Sequence, residues 1–252
     1  MTKNLYLNLL LAVIILLIGF YYSSITIDFW TARIIGFVSV LISGFILIGF
    51  NYKNLPIKKN VAIKPVQILA ILIGFSGMFL VIYFFQNLIF SFAGWELEKE
   101  YRPADNELAR FLVFVVIWVF VEEIYYRRIL AQKIFNQKGF SKAFWISALV
   151  FSIAHWFSET GLLYAFIGGL LLAYLYLNTH SIWLSIFAHL YYNLMTFYAT
   201  PVISERISDF NTKLKMASLV AIGLILIFIM VFLINYSTKN QSERIKPVGN
   251  NV

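Results

Sequence analysis

Long apolar runs separated by short polar connections dominate this chain. They predict eight helices, at 5–22, 30–50, 66–90, 108–130, 143–158, 161–177, 181–199 and 216–236. Most of these runs approach the roughly 20 apolar residues that a membrane-spanning helix requires. The first, Leu5–Tyr22, follows Lys3 as a secretory signal would. Its apolar stretch is longer than a signal core and no small-x-small cleavage site follows, so it reads as a span. No soluble domain, low-complexity linker or repeat interrupts the series. The expectation is an all-α, polytopic membrane protein: one integral domain over 1–252, with about eight transmembrane helices around a buried polar site.

Composition agrees. Of 252 residues, 61% are hydrophobic and 13% charged, where a soluble domain carries about 25% charge. Mean hydropathy is +0.80, which makes the lipid bilayer the natural solvent. The lack of cysteine excludes disulfide frameworks, thiol nucleophiles and thiolate metal sites.

The net charge of +8 would suit nucleic acid, but its distribution offers a simpler reading. Lys3, Lys53, Lys58, Lys59, Lys64, Arg127, Arg128, Lys133, Lys138, Lys142, Lys239, Arg244 and Lys246 fall on one set of connections, 13 of the 20 basic residues. Nine of the twelve acids, among them Glu96, Glu98, Glu100, Asp105 and Glu107, fall on the other. An even number of spans with both termini cytoplasmic satisfies the positive-inside rule. The basic charge is then topology, and no nucleic-acid partner is needed. Trp30, Trp145, Trp156 and Trp183 fall near predicted helix ends, where amphipathic rings anchor at the interface.

Charged groups within a span cost about 2.5–3.5 kcal/mol each on insertion scales and mark function. The fourth helix carries Glu122-Glu123-Ile124-Tyr125-Tyr126-Arg127-Arg128. Glu123 and Arg127, four apart, can pair on one face, while Glu122 points about 100° away. The bland alternative is a helix end snorkelling to the interface. The fifth helix supplies His155; the seventh supplies His189 and Asn193 at i, i+4. Each has a plain reading as a packed or interhelical hydrogen-bonding residue. Leaving all of them unpaired in lipid would be costly, so convergence on one polar cavity is the economical arrangement. His180, in a short loop, reads as an ordinary interfacial residue. A fourth helix ending near Arg128 would leave Glu122 too shallow to meet the histidines. The helix is therefore expected to continue through Ile129–Phe135, with Arg127 buried in protein.

A buried carboxylate beside a histidine can deprotonate water near neutral pH, and a second His with an Asn amide can stabilise an oxyanion. Together they suit amide hydrolysis by activated water. His and Glu are also competent Zn²⁺ ligands, with Glu122, His155 and His189 the candidates, so metal-bound water and water held by Glu and His alone both stay open.

Glu122-Glu123-x-x-x-Arg127, Phe151-x-x-x-His155 and His189-x-x-x-Asn193 resemble the three signature motifs of the CAAX-protease and bacteriocin-processing family (CPBP, also called Abi). The stretch from Phe166-Ile167-Gly168-Gly169 through Ser181-Ile182-Trp183 resembles the same family, and the similarity covers about 108–196. It implies an intramembrane endopeptidase with its site opening toward the cytoplasm. Glu122 and His155 would activate water, His189 and Asn193 would form the oxyanion hole, and Glu123 and Arg127 would support the site. The substrate would be a CAAX-like protein or a small secreted or bacteriocin-like peptide. Two positions depart from the family pattern: Arg128 and His180 stand where glycine is common.

Other intramembrane proteases fit less well. No HExxH occurs, the aspartates lie in loops or near helix ends, and Gly74-Phe75-Ser76-Gly77, a possible rhomboid hook, reads as small-residue helix packing. A proton- or ion-coupled transporter would show repeats and broken helices. A scaffold or immunity protein keeping the fold would have no need of the full residue set. Bacterial-type topology without organelle signals points to a plasma membrane.

Overall fold

The computed structural model describes residues 5–49, 62–93, 105–157, 161–205 and 213–242. Among them there is no strand. The helices are α1 (Leu5–Ile25), α2 (Phe29–Ile48), α3 (Pro65–Ala93), α4 (Asp105–Glu123), α5 (Gln132–Ala154), α6 (Leu162–Thr179), α7 (Ile182–Glu205) and α8 (Lys213–Ser242), with a π-helical segment, Ile124–Ala131, joining α4 to α5. Lys3, Lys53, Lys58, Lys59, Arg244, Lys246, Glu96, Glu98, Glu100 and both termini lie outside the described residues.

Among the described residues five helices, α1, α2, α3, α6 and α8, are long and apolar enough to cross a membrane. The protein is thus an integral membrane protein, but the expected count of eight spans is not confirmed. The shortfall has a physical source. α4 ends in two glutamates, α5 carries Lys133, Lys138 and Lys142, and α7 carries His189, Asn193 and several hydroxyls. Leu7, Leu10, Ile14 and Ile18 are exposed along α1 at helical spacing, a face suited to hydrocarbon.

The chain divides into two compact units, Met1–Asn60 with Trp118–Ser185, and Val61–Ile117 with Ile186–Val252. The divisions fall within α4 and α7. In the first unit, α1, α2, the π segment, α5 and α6 share a core that includes Leu16, Leu47, Tyr126, Leu130, Ile134 and Phe151. Polar contacts fix the corners. Asp28 caps α2 by accepting from the Thr31 backbone N–H at 2.7 Å. At the other end of α2, Gly49 adopts φ 66° and returns its N–H to Ile46 and Phe45. The Lys133 ammonium donates to the Leu47 carbonyl, a cation at a helix C-terminus. The Ser43 hydroxyl donates to the Ala12 carbonyl at 3.0 Å and so receives the Tyr125 hydroxyl at 2.5 Å.

In the second unit, α3 and α8 meet at facing glycines. A methyl group at Gly77 would stand 2.6 Å from the Gly223 carbonyl, and one at Gly223 would stand 2.6 Å from the Gly77 carbonyl. At Gly74 it is the Met230 side chain that fills the space a methyl group would need. The Gly74–Gly77 stretch is therefore small-residue helix packing, and Ser76 is engaged with the Tyr191 hydroxyl at 2.7 Å. Lys64 and Gln67 join α3 to Ser237 near the far end of α8.

Candidate active site

Helical geometry runs without a break from α4 through the π segment into α5 and is first lost at Gly139, at φ 80°, ψ −179°. The expected continuation through Ile129–Phe135 is present, and Arg127 is fully buried. The i→i+5 bonding, in which the Gln132 N–H reaches the Arg127 carbonyl, was not foreseen. Such insertions in helices are frequent at functional sites.

Glu122 and Glu123 close α4. Glu123 and Arg127 form a fully buried ion pair, with Nε to Oε2 at 3.2 Å. The other two guanidinium nitrogens have no hydrogen-bond partner among the described residues. The guanidinium carbon lies 5.0 Å from the centre of the Phe151 ring, so aromatic π density supports its charge. The Phe151 ring in turn lies 4.4 Å from that of His155. One phenylalanine thus touches both the supporting cation and the candidate catalytic imidazole.

His155 is not inside a helix, as expected, but is the first residue beyond α5, at φ −88° and ψ 9°. This is the sparsely populated region between helix and strand, where many active-site residues sit. The turn is fixed by the Ser152 hydroxyl, which donates to the Leu162 carbonyl at 2.6 Å. The predicted helix to 158 therefore ends at Ala154. The imidazole Nε2 lies 3.8 Å from Glu122 Oε1, and Nδ1 lies 2.8 Å from the Phe151 carbonyl oxygen. A carbonyl only accepts, so Nδ1 carries the proton. In the neutral ring Nε2 is then an acceptor, and it faces a carboxylate oxygen that is also an acceptor.

Trp118, which sequence reasoning passed over, donates its indole N–H to Glu122 Oε1 at 2.7 Å. The signal was available, because Trp118 and Glu122 are one helical turn apart. His180 is buried in protein. It packs edge-on against Phe135 and Tyr176 and has φ 53°. A left-handed residue at that turn explains why glycine would be common there. The Tyr176 hydroxyl donates to Gln132 at 3.0 Å, and Gln132 to Asn136 at 2.8 Å, tying α6 to the start of α5.

The structure thus brings Glu122, His155, Glu123 and Arg127 together in the first unit. His189 and Asn193 lie one turn apart on α7 in the second, His189 buried and Asn193 half-buried. Among the described residues, no group of three or more His, Cys, Asp or Glu side chains is placed to hold a metal ion.

Among the described residues these features define an all-helical integral membrane protein in which a buried Glu122 stands beside a half-buried His155. Residues 104–195 match the model of a family described as type II CAAX prenyl endopeptidase Rce1-like, and the resemblance to the CAAX-protease and bacteriocin-processing family holds over that motif-bearing core. The matched family is one of proteases. No curated protein and no solved structure matches the chain.

Proposed function

We propose that the protein is an intramembrane endopeptidase that hydrolyses a peptide bond with water activated by Glu122 and His155. The supporting observation is the 3.8 Å separation of two acceptors, Glu122 Oε1 and His155 Nε2. That gap exceeds a direct hydrogen bond and suits a bridging water. A water donating one hydrogen to each acceptor turns its lone pairs away from both, toward a bound carbonyl carbon. Glu122 takes the proton as the water oxygen bonds to that carbon, and the carbonyl π electrons move to oxygen. This oxyanion needs hydrogen-bond donors, the role that the family resemblance implies for His189 and Asn193. As the oxyanion collapses the C–N bond breaks, and the proton passes from the Glu122–His155 pair to the leaving amine. Glu123 and Arg127 hold the helix that presents Glu122. No step requires a metal, and activity should survive chelation; loss on chelation with recovery on Zn²⁺ would assign a metal instead.

The family match favours a CAAX-type substrate, a prenylated cysteine followed by two aliphatic residues and a terminal residue. In this reading α4, α5 and α7 also lie in the bilayer, their polar side chains turned to protein. The basic connections face the cytoplasm of a bacterial cell. A non-proteolytic scaffold with the same fold is the rival. Glu122→Gln and His155→Ala, purified in nanodiscs, should lower cleavage of an internally quenched farnesylated CAAX peptide by about 10²–10⁴-fold, the range of general base catalysis. Full activity in Glu122→Gln would rule out the mechanism.

A further inference from the structure

We propose that Trp118 is a positioning residue for Glu122, and that the α1–α2 hairpin sets the carboxylate through it. The proposal rests on the reading of Glu122 as the base. An indole is a donor only, so the direction of the 2.7 Å contact is fixed: Trp118 Nε1–H donates to Glu122 Oε1. This is the same oxygen that faces His155 Nε2. The two residues share a face of α4, and a hydrogen bond to a carboxylate is among the stronger neutral-to-charged contacts. It holds Oε1 in register with the imidazole rather than leaving the carboxylate to rotate.

The indole is itself held from outside the family-matched stretch. Phe20 of α1 meets it edge-on at 6.2 Å between ring centres, and Phe37 of α2 does so at 5.5 Å. Gly36 of α2 supplies the room, since a methyl group there would stand 3.1 Å from Trp118 Cη2. Glycine inside a helix is unfavourable relative to alanine, and here the space it leaves is filled by the ring. Two aromatic edges and a glycine shelf fix the indole plane, the plane fixes the N–H direction, and the N–H fixes Glu122. The N-terminal hairpin, remote from the three motifs in sequence, thereby reaches the proposed base through one side chain.

The test separates the N–H from the bulk of the ring. Site-specific replacement of Trp118 by 3-benzothienylalanine keeps the bicyclic shape and its packing while sulfur replaces N–H. On the quenched farnesylated CAAX peptide, this protein should show kcat lowered about tenfold, the scale of one hydrogen bond to a charged group, at unchanged KM. Trp118→Phe should lose at least as much. In ¹⁵N-labelled protein the indole resonance absent from Trp118→Phe identifies Trp118, and it should move upfield in Glu122→Ala. Wild-type kcat in the benzothienyl protein beside an inactive Glu122→Gln, or an indole resonance unmoved by Glu122→Ala, would overturn the positioning role alone. An uncut peptide with the wild type, or an active Glu122→Gln, would bring down the function reading and this proposal with it.

Discussion

The α3–α8 seam of the second unit and the interior of the first are each held by different physics. In the second, α3 and α8 meet at glycines, backbone against backbone, with Gly77 and Gly223 each filling the space where the other's methyl group would go. In the first, a fully buried Arg127–Glu123 pair, a Trp118–Glu122 hydrogen bond and a Gln132–Tyr176 contact run through an aromatic core. Dispersion between small residues needs no side-chain chemistry and leaves none behind. A buried polar network does the opposite: it costs desolvation, fixes geometry, and places ionisable groups where they can act. The unit that carries Glu122 and His155 is the one built the more expensive way.

Removing Arg127 should break the first pattern with the largest effect. Arg127→Ala leaves the Glu123 carboxylate buried without its partner and strips the cation from Phe151. Breaking a buried pair from one side costs about 3–5 kcal/mol, to be read from thermal unfolding in detergent by tryptophan fluorescence. Arg127→Lys should not restore stability, because an ammonium lacks the planar face that lies over Phe151 and the Nε donor. The loss should reach activity as well, since Phe151 touches both Arg127 and His155. An unchanged Tm in Arg127→Ala would mean that the pair does not hold this region.

Gly223→Ala probes the other pattern. The added methyl group would meet the Gly77 carbonyl and the Val81 side chain, so α3 and α8 must part. Overpacking of this kind costs about 1–3 kcal/mol, and thermal unfolding measures it. The contrast with Arg127 lies in a second readout: the protein that remains folded should cleave peptide normally. A loss of kcat in folded Gly223→Ala would mean that the α3–α8 seam also sets the site.

The same contrast explains what could be read from the sequence. Apolar runs marked out the eight helices of the described residues, although only five of them are long and apolar enough to cross a membrane, and Gly74–Gly77 declared its packing role by size alone. The continuation past Arg128 was legible from the depth that Glu122 needs. The π segment was not, since i→i+4 and i→i+5 bonding draw on the same residues. His155 was placed inside α5 because Trp156 and Phe157 prolong the apolar run, whereas the chain turns at His155 under a Ser152–Leu162 contact that hydropathy cannot register. Trp118 was hidden by company: among many aromatic residues in apolar helices, nothing in composition marks the one whose N–H meets a carboxylate.

Asp28 gives the smallest expected effect and a control for both patterns, because it acts from the exposed corner between α1 and α2. Hydrogen bonds from Thr31, through its side chain first and its backbone N–H next, hold the Asp28 carboxyl below its ordinary value. A carboxyl depressed on folding stabilises the folded state above its unfolded value, about 3.9, and that contribution is lost as pH falls through the lower folded value. The Tm difference between wild type and Asp28→Ala should therefore be constant from pH 8 to about pH 5 and shrink in more acid solution. Asp28→Asn, which caps comparably without a titrating group, should show no such acid-dependent difference from Asp28→Ala. Because the carboxylate is exposed and screened, raising salt should erode only its charge-dependent part. The Arg127 deficit, sealed from solvent, should persist. If salt weakened the two alike, the buried pair would have to be in contact with water, and the distinction between an expensive interior and an inexpensive corner would fail.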